Sequence, residues 1–140
     1  MVKSKVISRF YVFSKTESKI NFKEIVELLP KDYSTVMFQG ERKKLTTGKL
    51  GPVRKESSVM YSVEYIDVYD ISVCNESFMK KWAVHERLLK KISNDYDIKY
   101  MLDYEISIDD SDYPGIVFDS RYLKFLGAIN CNFAFDFYEK

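Results

Sequence analysis

An α+β fold is predicted by three patterns in this chain. Residues 98–108 alternate strictly, with Ile98, Tyr100, Leu102, Tyr104, Ile106 and Ile108 on one side and Lys99, Met101, Asp103, Glu105 and Ser107 on the other. Cys131, Phe133, Phe135 and Phe137 repeat that period of two, and a strand with this alternation has one face packed and one face wet. Between Phe78 and Ile92 the apolar residues instead recur every three or four positions, the spacing of an amphipathic helix. A single domain follows, a mixed sheet of about five strands with three helices in the order β-α-β-β-α-β-α-β, broadly ferredoxin-like.

The first strand is predicted over Val6 to Ser14, with Ile7, Tyr11 and Phe13 on one face and Val6, Phe10 and Val12 on the other. Both faces are largely apolar, which marks a central strand rather than an edge. A short helix follows. Asn21 is its N-cap, Glu24 completes a capping box, Ile20 and Ile25 form a hydrophobic staple, and Pro30 ends it. Tyr33 to Gln39 reads as a short strand, and Gly40 to Ser58 as the most loop-like stretch, broken by Gly40, Gly48, Gly51 and Pro52. Strand pattern resumes at Val59, Tyr61, Val63 and Tyr65, then slips to Ile66 and Val68, the sign of a bulge or a strand end. The long helix is placed over Asn75 to Ser93, capped by Asn75 and buried through Phe78, Trp82, His85, Leu89 and Ile92. The last helix starts at Asp119 or Ser120 and is expected to close at Gly127 in a left-handed cap. The expected core comprises Phe10, Val12, Leu29, Val63, Trp82, Leu102, Ile106, Phe125, Phe133 and Phe135.

With 140 residues and 46% hydrophobic content, the chain can bury a core of its own. It has no run of the roughly 18 to 20 apolar residues that a membrane span needs, and its first residues lack the apolar region of a secretory signal. Cys74 and Cys131 make no framework and no C-x-x-C motif, which points to reduced thiols in a cytoplasmic protein. The net charge of +1 conceals an asymmetry. Residues 1–58 carry 13 Lys and Arg against 6 Asp and Glu, and residues 59–140 carry 9 against 15. Sheet folds of this kind interleave the two halves, so much of the asymmetry is expected to cancel.

Conventional chemistry finds little support. His85, the single histidine, lies on the apolar stripe of the long helix and has no second histidine to help it hold a metal. The Thr46–Gly51 stretch lacks both the first glycine and the hydroxyl residue of a phosphate loop. In the acidic turn Asp109, Asp110, Asp112, a calcium loop counted from Asp110 would need glutamate where Arg121 stands. Asp103 and Glu105 share one strand face, roughly 7 Å apart by strand rise, a spacing that suits paired carboxylates but also an ordinary wet face. The segment holding Arg42, Lys43, Lys44, Lys49, Arg54 and Lys55 can contact phosphates, although it lacks interleaved aromatics for base stacking. No cofactor is implied.

The segments Phe10-Tyr11-Val12-Phe13, Phe22-Lys23-Glu24-Ile25, Gly40 after a short strand, Tyr122-Leu123-Lys124-Phe125-Leu126-Gly127-Ala128-Ile129 and Phe135-Asp136-Phe137-Tyr138 together resemble the bacterial domain-of-unknown-function family numbered four thousand two hundred seventy-nine. The resemblance covers nearly the whole chain. Its motifs are structural, a helix ending in Leu-Gly and then a strand ending in Asp-x-Tyr. The chain departs from the pattern in its longer basic segment after Gly40 and in Tyr61, where a tryptophan is expected. The family supplies no catalytic residues, and its similarity to small toxin-neutralising immunity proteins implies a protein-binding role.

The expected function is therefore a cytoplasmic, non-enzymatic protein-binding module, of the immunity type, that neutralises a toxin partner. Its expected contact residues are Asp103, Glu105, Asp109, Asp110, Asp112 and Tyr113, an acidic patch able to steer a basic partner, with Tyr104 and Tyr113 as aromatic anchors if exposed. The alternative is a nucleic-acid-binding protein using the basic segment 41–55, and a second alternative is a small-molecule-binding or enzymatic domain whose site carries no recognisable motif.

Overall fold

Because both faces of residues 5–14 are apolar, the chain can place this segment in the middle of its sheet, and it does. The computed structural model describes residues 4–14, 21–68, 70–108 and 114–139. Its elements are β1 (Lys5–Ser14), α1 (Phe22–Leu28), β2 (Thr35–Met37), β3 (Arg42–Lys44), β4 (Leu50–Val53), β5 (Ser58–Ile66), α2 (Ser72–Trp82), α3 (Glu86–Asp95), β6 (Ile98–Ile108), α4 (Ser120–Ala128) and β7 (Cys131–Glu139). A 3-10 turn at Ala83–His85 joins α2 to α3, so the predicted long helix is one helical run with a break in its middle. The main sheet has the order β2-β5-β1-β6-β7, and β3 pairs with β4 in a separate two-stranded ribbon. The β6–β7 pair is parallel and the other pairs of the main sheet are antiparallel, which makes the sheet mixed.

Register divides the sheet into two faces. Val6, Phe10 and Val12 of β1 lie beside Tyr65, Tyr61 and Val59 of β5 and beside Ile106, Leu102 and Tyr100 of β6. The helices pack on this side. Phe10 meets Phe78 at 5.1 Å and Trp82 at 4.7 Å between ring centroids, and the Tyr100 hydroxyl donates to the Leu89 carbonyl at 2.7 Å. The opposite face, with Ile7, Arg9, Tyr11 and Phe13, stays half-buried, and no described helix lies over it.

Several local expectations are corrected. Asn21 does cap α1, but its side chain accepts from the Lys23 amide rather than from Glu24; Ile20 lies outside the described residues. Asn75 caps nothing: α2 starts earlier, at Ser72, where the Asp70 carboxylate accepts from the Ser72 amide, and Asn75 is buried inside the helix. Gly127 stays helical, and Asn130 (φ 54°) takes the left-handed position instead. Asparagine tolerates that region better than other residues with a side chain. The stretch expected as loop holds the β3–β4 ribbon, turned at Gly48 (φ 84°), because its backbone pairs without any apolar alternation to announce it. In the expected core, Phe10, Val12, Leu29, Trp82, Leu102, Ile106 and Phe125 are buried. Val63, at 43% exposure, is not: β2 pairs only with Ser58 to Met60, so among the described residues the outer edge of β5 has no strand beside Val63. Phe133 is 41% exposed and Phe135 half-buried: both point to the helix side, but β7 is an edge strand.

Trp82 is 1% exposed and touches Phe10, Tyr61 and Phe78. In urea unfolding, Trp82→Ala should cost about 3 to 5 kcal/mol, whereas Val63→Ala should stay within about 0.5 kcal/mol of wild type. Equal losses for the two would overturn the contrast between a buried Trp82 and an exposed Val63.

Candidate functional site

The helix-free face of the sheet gathers the charged residues of β1, β6 and β7. Antiparallel register sets Arg9 opposite Asp103, and parallel register sets Glu105 opposite Asp136. The Arg9 guanidinium reaches Glu105 at 3.3 Å and Asp103 at 3.8 Å. Two carboxylates thus share one cation, with Asp136 beside Asp103, and Tyr11, next on the same face of β1, lies in the field of Arg9, Asp103 and Glu105. Burial lifts the Asp103 pKa above the usual carboxylate range. The neighbouring Asp136 charge lifts it further, against the pull of Arg9, and a hydrogen bond with Asp136 favours the protonated form. Burial likewise raises Tyr11. The sequence reading found Asp103 and Glu105 but missed Arg9 and Asp136. Alternation assigns a residue to a face, but which strands lie side by side is a property of the sheet order.

Asp109, Asp110, Asp112 and Tyr113, the rest of the expected acidic patch, lie outside the described residues. Tyr104 is no surface anchor, because it is fully buried. Its hydroxyl donates to Asn75 Oδ1 at 2.7 Å and accepts from the Tyr122 hydroxyl, while Asn75 Nδ2 donates to the Val117 carbonyl at 3.3 Å. Burial raises both tyrosines well above their ordinary value. This cluster ties β6 to α2 and α4. Cys74 and Cys131 are free and buried, and desolvation pushes their thiols up to about 11 and about 12, the opposite of an activated nucleophile. His85 is half-buried at the 3-10 turn with its ring 5.9 Å from that of Trp82. Among the described residues, no group of three or more His, Cys, Asp or Glu side chains is arranged to hold a metal ion.

Beside the charged face, the outer edge of β7 is aromatic. Phe133 is 41% and Phe137 48% exposed, and Phe118 packs on Phe133 at 5.1 Å and on Phe135 at 5.7 Å. A domain of unknown function (DUF4279) is the family whose model matches this chain, over residues 5–140. The chain belongs to this family. No curated protein and no solved structure matches it.

The DUF4279 match includes the basic segment as well as the sheet. The structure brings that segment together as the β3–β4 ribbon, with Arg42, Lys44, Lys49 and Lys55 exposed and Arg54 half-buried; the Lys43 side chain lies outside the described residues. Against the base of the ribbon lies a cavity of about 590 Å³, lined by Met37, Leu45, Pro52, Val53, Arg54 and Lys55 among others. No described helix of this DUF4279 chain is long and apolar enough to cross a membrane.

The Asp103 environment has a pH consequence. Its native pKa is raised above the unfolded value, so the stability it contributes is present below about pH 4, the ordinary carboxylate value, and is lost as pH rises through the raised native value. Relative to wild type, Asp103→Asn should therefore gain stability as pH climbs through that window and hold a constant difference above it. Urea titrations at stepped pH read this directly, and a difference independent of pH would refute the raised native pKa of Asp103.

Proposed function

We propose that this chain is a non-enzymatic protein-binding module of the cytoplasm, an immunity-type protein that neutralises a toxin partner by covering a basic surface on it. The observation that carries the reading is a local excess of negative charge on the helix-free sheet face, where Asp103, Glu105 and Asp136 gather near Arg9, while Lys5, paired with Glu64, and Lys99 stand toward the ends of the same face. A local acidic patch of this kind steers a basic partner and repels acidic ones. Half-buried Tyr11, Phe13, Met60 and Met101 on the same face add the aromatic and methionine content that protein interfaces favour. A toxin that acts on nucleic acid has a basic substrate groove, and an acidic cover would exclude its substrate.

Where a toxin gene lies beside this one, cells producing that toxin should survive when the chain is co-produced. The Asp103→Asn, Asp136→Asn double variant should protect less while remaining folded by circular dichroism. Absence of both protection and co-purification would sink the reading.

A second reading rests on the basic ribbon, because two-stranded ribbons with Lys and Arg can enter a nucleic-acid groove. It predicts binding to duplex DNA or RNA whose affinity falls steeply with salt, with a slope made shallower by roughly one unit per phosphate-contacting residue when Lys44, Lys49 and Arg42 are neutralised. No binding at low salt would remove it.

A further inference from the structure

We propose that the outer edge of β7 is the docking line of the protein partner, which adds to the sheet as a sixth strand an extended segment of alternating apolar and basic residues. This inference rests on the protein-binding reading and specifies the partner's chemistry. β7 runs nine residues in unbroken parallel register with β6, from Cys131 beside Tyr100 to Glu139 beside Ile108, and among the described residues no strand pairs with its other side. Exposed edges are ordinarily protected by lysine, proline, a bulge or a short strand. β7 is long, runs without a bulge and holds neither lysine nor proline, its charged residues being Asp136 and the terminal Glu139. Its backbone amides and carbonyls are therefore presented in the form that strand addition uses.

The two faces of β7 specify the side chains of the incoming strand. Phe133, Phe135 and Phe137 follow Leu102, Tyr104 and Ile106 in register and form one aromatic row on the helix side. Two of its three rings are more than two-fifths exposed. On the other side Ala134, Asp136 and Tyr138 follow Asp103, Glu105 and Ser107. A strand added about 4.8 Å outside β7 would set its apolar residues along the phenylalanine row and its alternate residues beside Asp136. Lysine or arginine there reaches toward Asp103 and Glu105 and supplies the positive charge that Arg9 alone does not. A second copy of this chain fits less well. Antiparallel pairing of two β7 strands about Phe135 uses the whole strand but brings two carboxylate clusters of the same sign to one seam.

The test uses the full chain and nine-residue peptides that alternate lysine with isoleucine, glutamate with isoleucine, or lysine with N-methylated isoleucine. Calorimetry should show binding of the first peptide, weakened at least about tenfold for the Asp103→Asn, Asp136→Asn double variant and for Phe133→Asp, each shown to be folded by circular dichroism. The glutamate and N-methylated peptides should not bind. Hydrogen exchange should slow at β7 amides on peptide addition. Equal binding of lysine and glutamate peptides, no binding at all, protection elsewhere than β7, or a stable dimer in sedimentation that occludes the edge would each overturn the proposal. If the toxin is bound and neutralised while β7 amides exchange at the same rate in the complex, only the docking mode fails. If β7 takes the lysine peptide but no toxin is neutralised, the edge stands and the immunity reading falls.

Discussion

Everything in this fold depends on β1 being hydrogen-bonded on both sides. Its register against β5 and β6 is continuous, Lys5 to Phe13 on one side and Lys5 to Ser14 on the other, so its alternation is imposed on three strands at once. Phe10 stands at the centre of the consequence, within ring contact of Tyr61, Phe78, Trp82 and Tyr100. A slip of one residue would turn Phe10 outward and Arg9 into that cluster, exchanging a buried ring for a buried charge. The same register that buries Phe10 thus holds Arg9 against Asp103 and Glu105 on the other side. Core and charged face are fixed by one ladder.

The helical layer is held to that ladder by aromatic packing and by a small number of directed polar contacts. The Tyr61 hydroxyl donates to the Pro30 carbonyl just beyond α1 at 2.7 Å, and Lys81 lies over the Tyr61 ring while pairing with Asp32. The Tyr104, Tyr122 and Asn75 side chains satisfy one another in the interior, where an unpaired hydroxyl would cost about 1 to 3 kcal/mol. The helical run loosens at Ala83–His85, where Val84 is 80% exposed while Trp82 and Leu89 on either side are buried.

Charge is distributed by strand order rather than by position along the chain. β1, from the basic half, lies between β5 and β6 of the acidic half, so the two halves interleave as expected. What remains is a separation across the sheet. The basic ribbon hydrogen-bonds through Gly40 and Arg54 and adjoins Met37 of β2 and Ser58 of β5, toward one edge. The carboxylate excess gathers on β6 and β7 at the other edge. A molecule of net charge +1 thereby presents two surfaces of opposite sign.

The sequence by itself determined which segments are strands and helices wherever burial is one-sided. The alternation of Ile98 to Ile108, the stripe of Phe78, Trp82, Leu89 and Ile92, and the two-sided apolar character of β1 all appear in the structure as read, because each is a local record of one buried face. Capping was legible at Asn21 and Asp119, where the side chain bonds a backbone group a few residues away. It misled at Asn75, whose partners Tyr104 and Val117 are 29 and 42 residues distant. The β3–β4 ribbon left no mark because its strands bury almost nothing. Of the charged site, Asp103 and Glu105 were legible as neighbours on one strand, whereas Arg9, 96 residues from Glu105, and Asp136 joined them only through pairing. Tertiary structure alone decided that β7 is an edge, and hence that Phe133 and Phe137 are exposed: a period of two says which way a side chain points, and only the neighbouring strand says what it meets there.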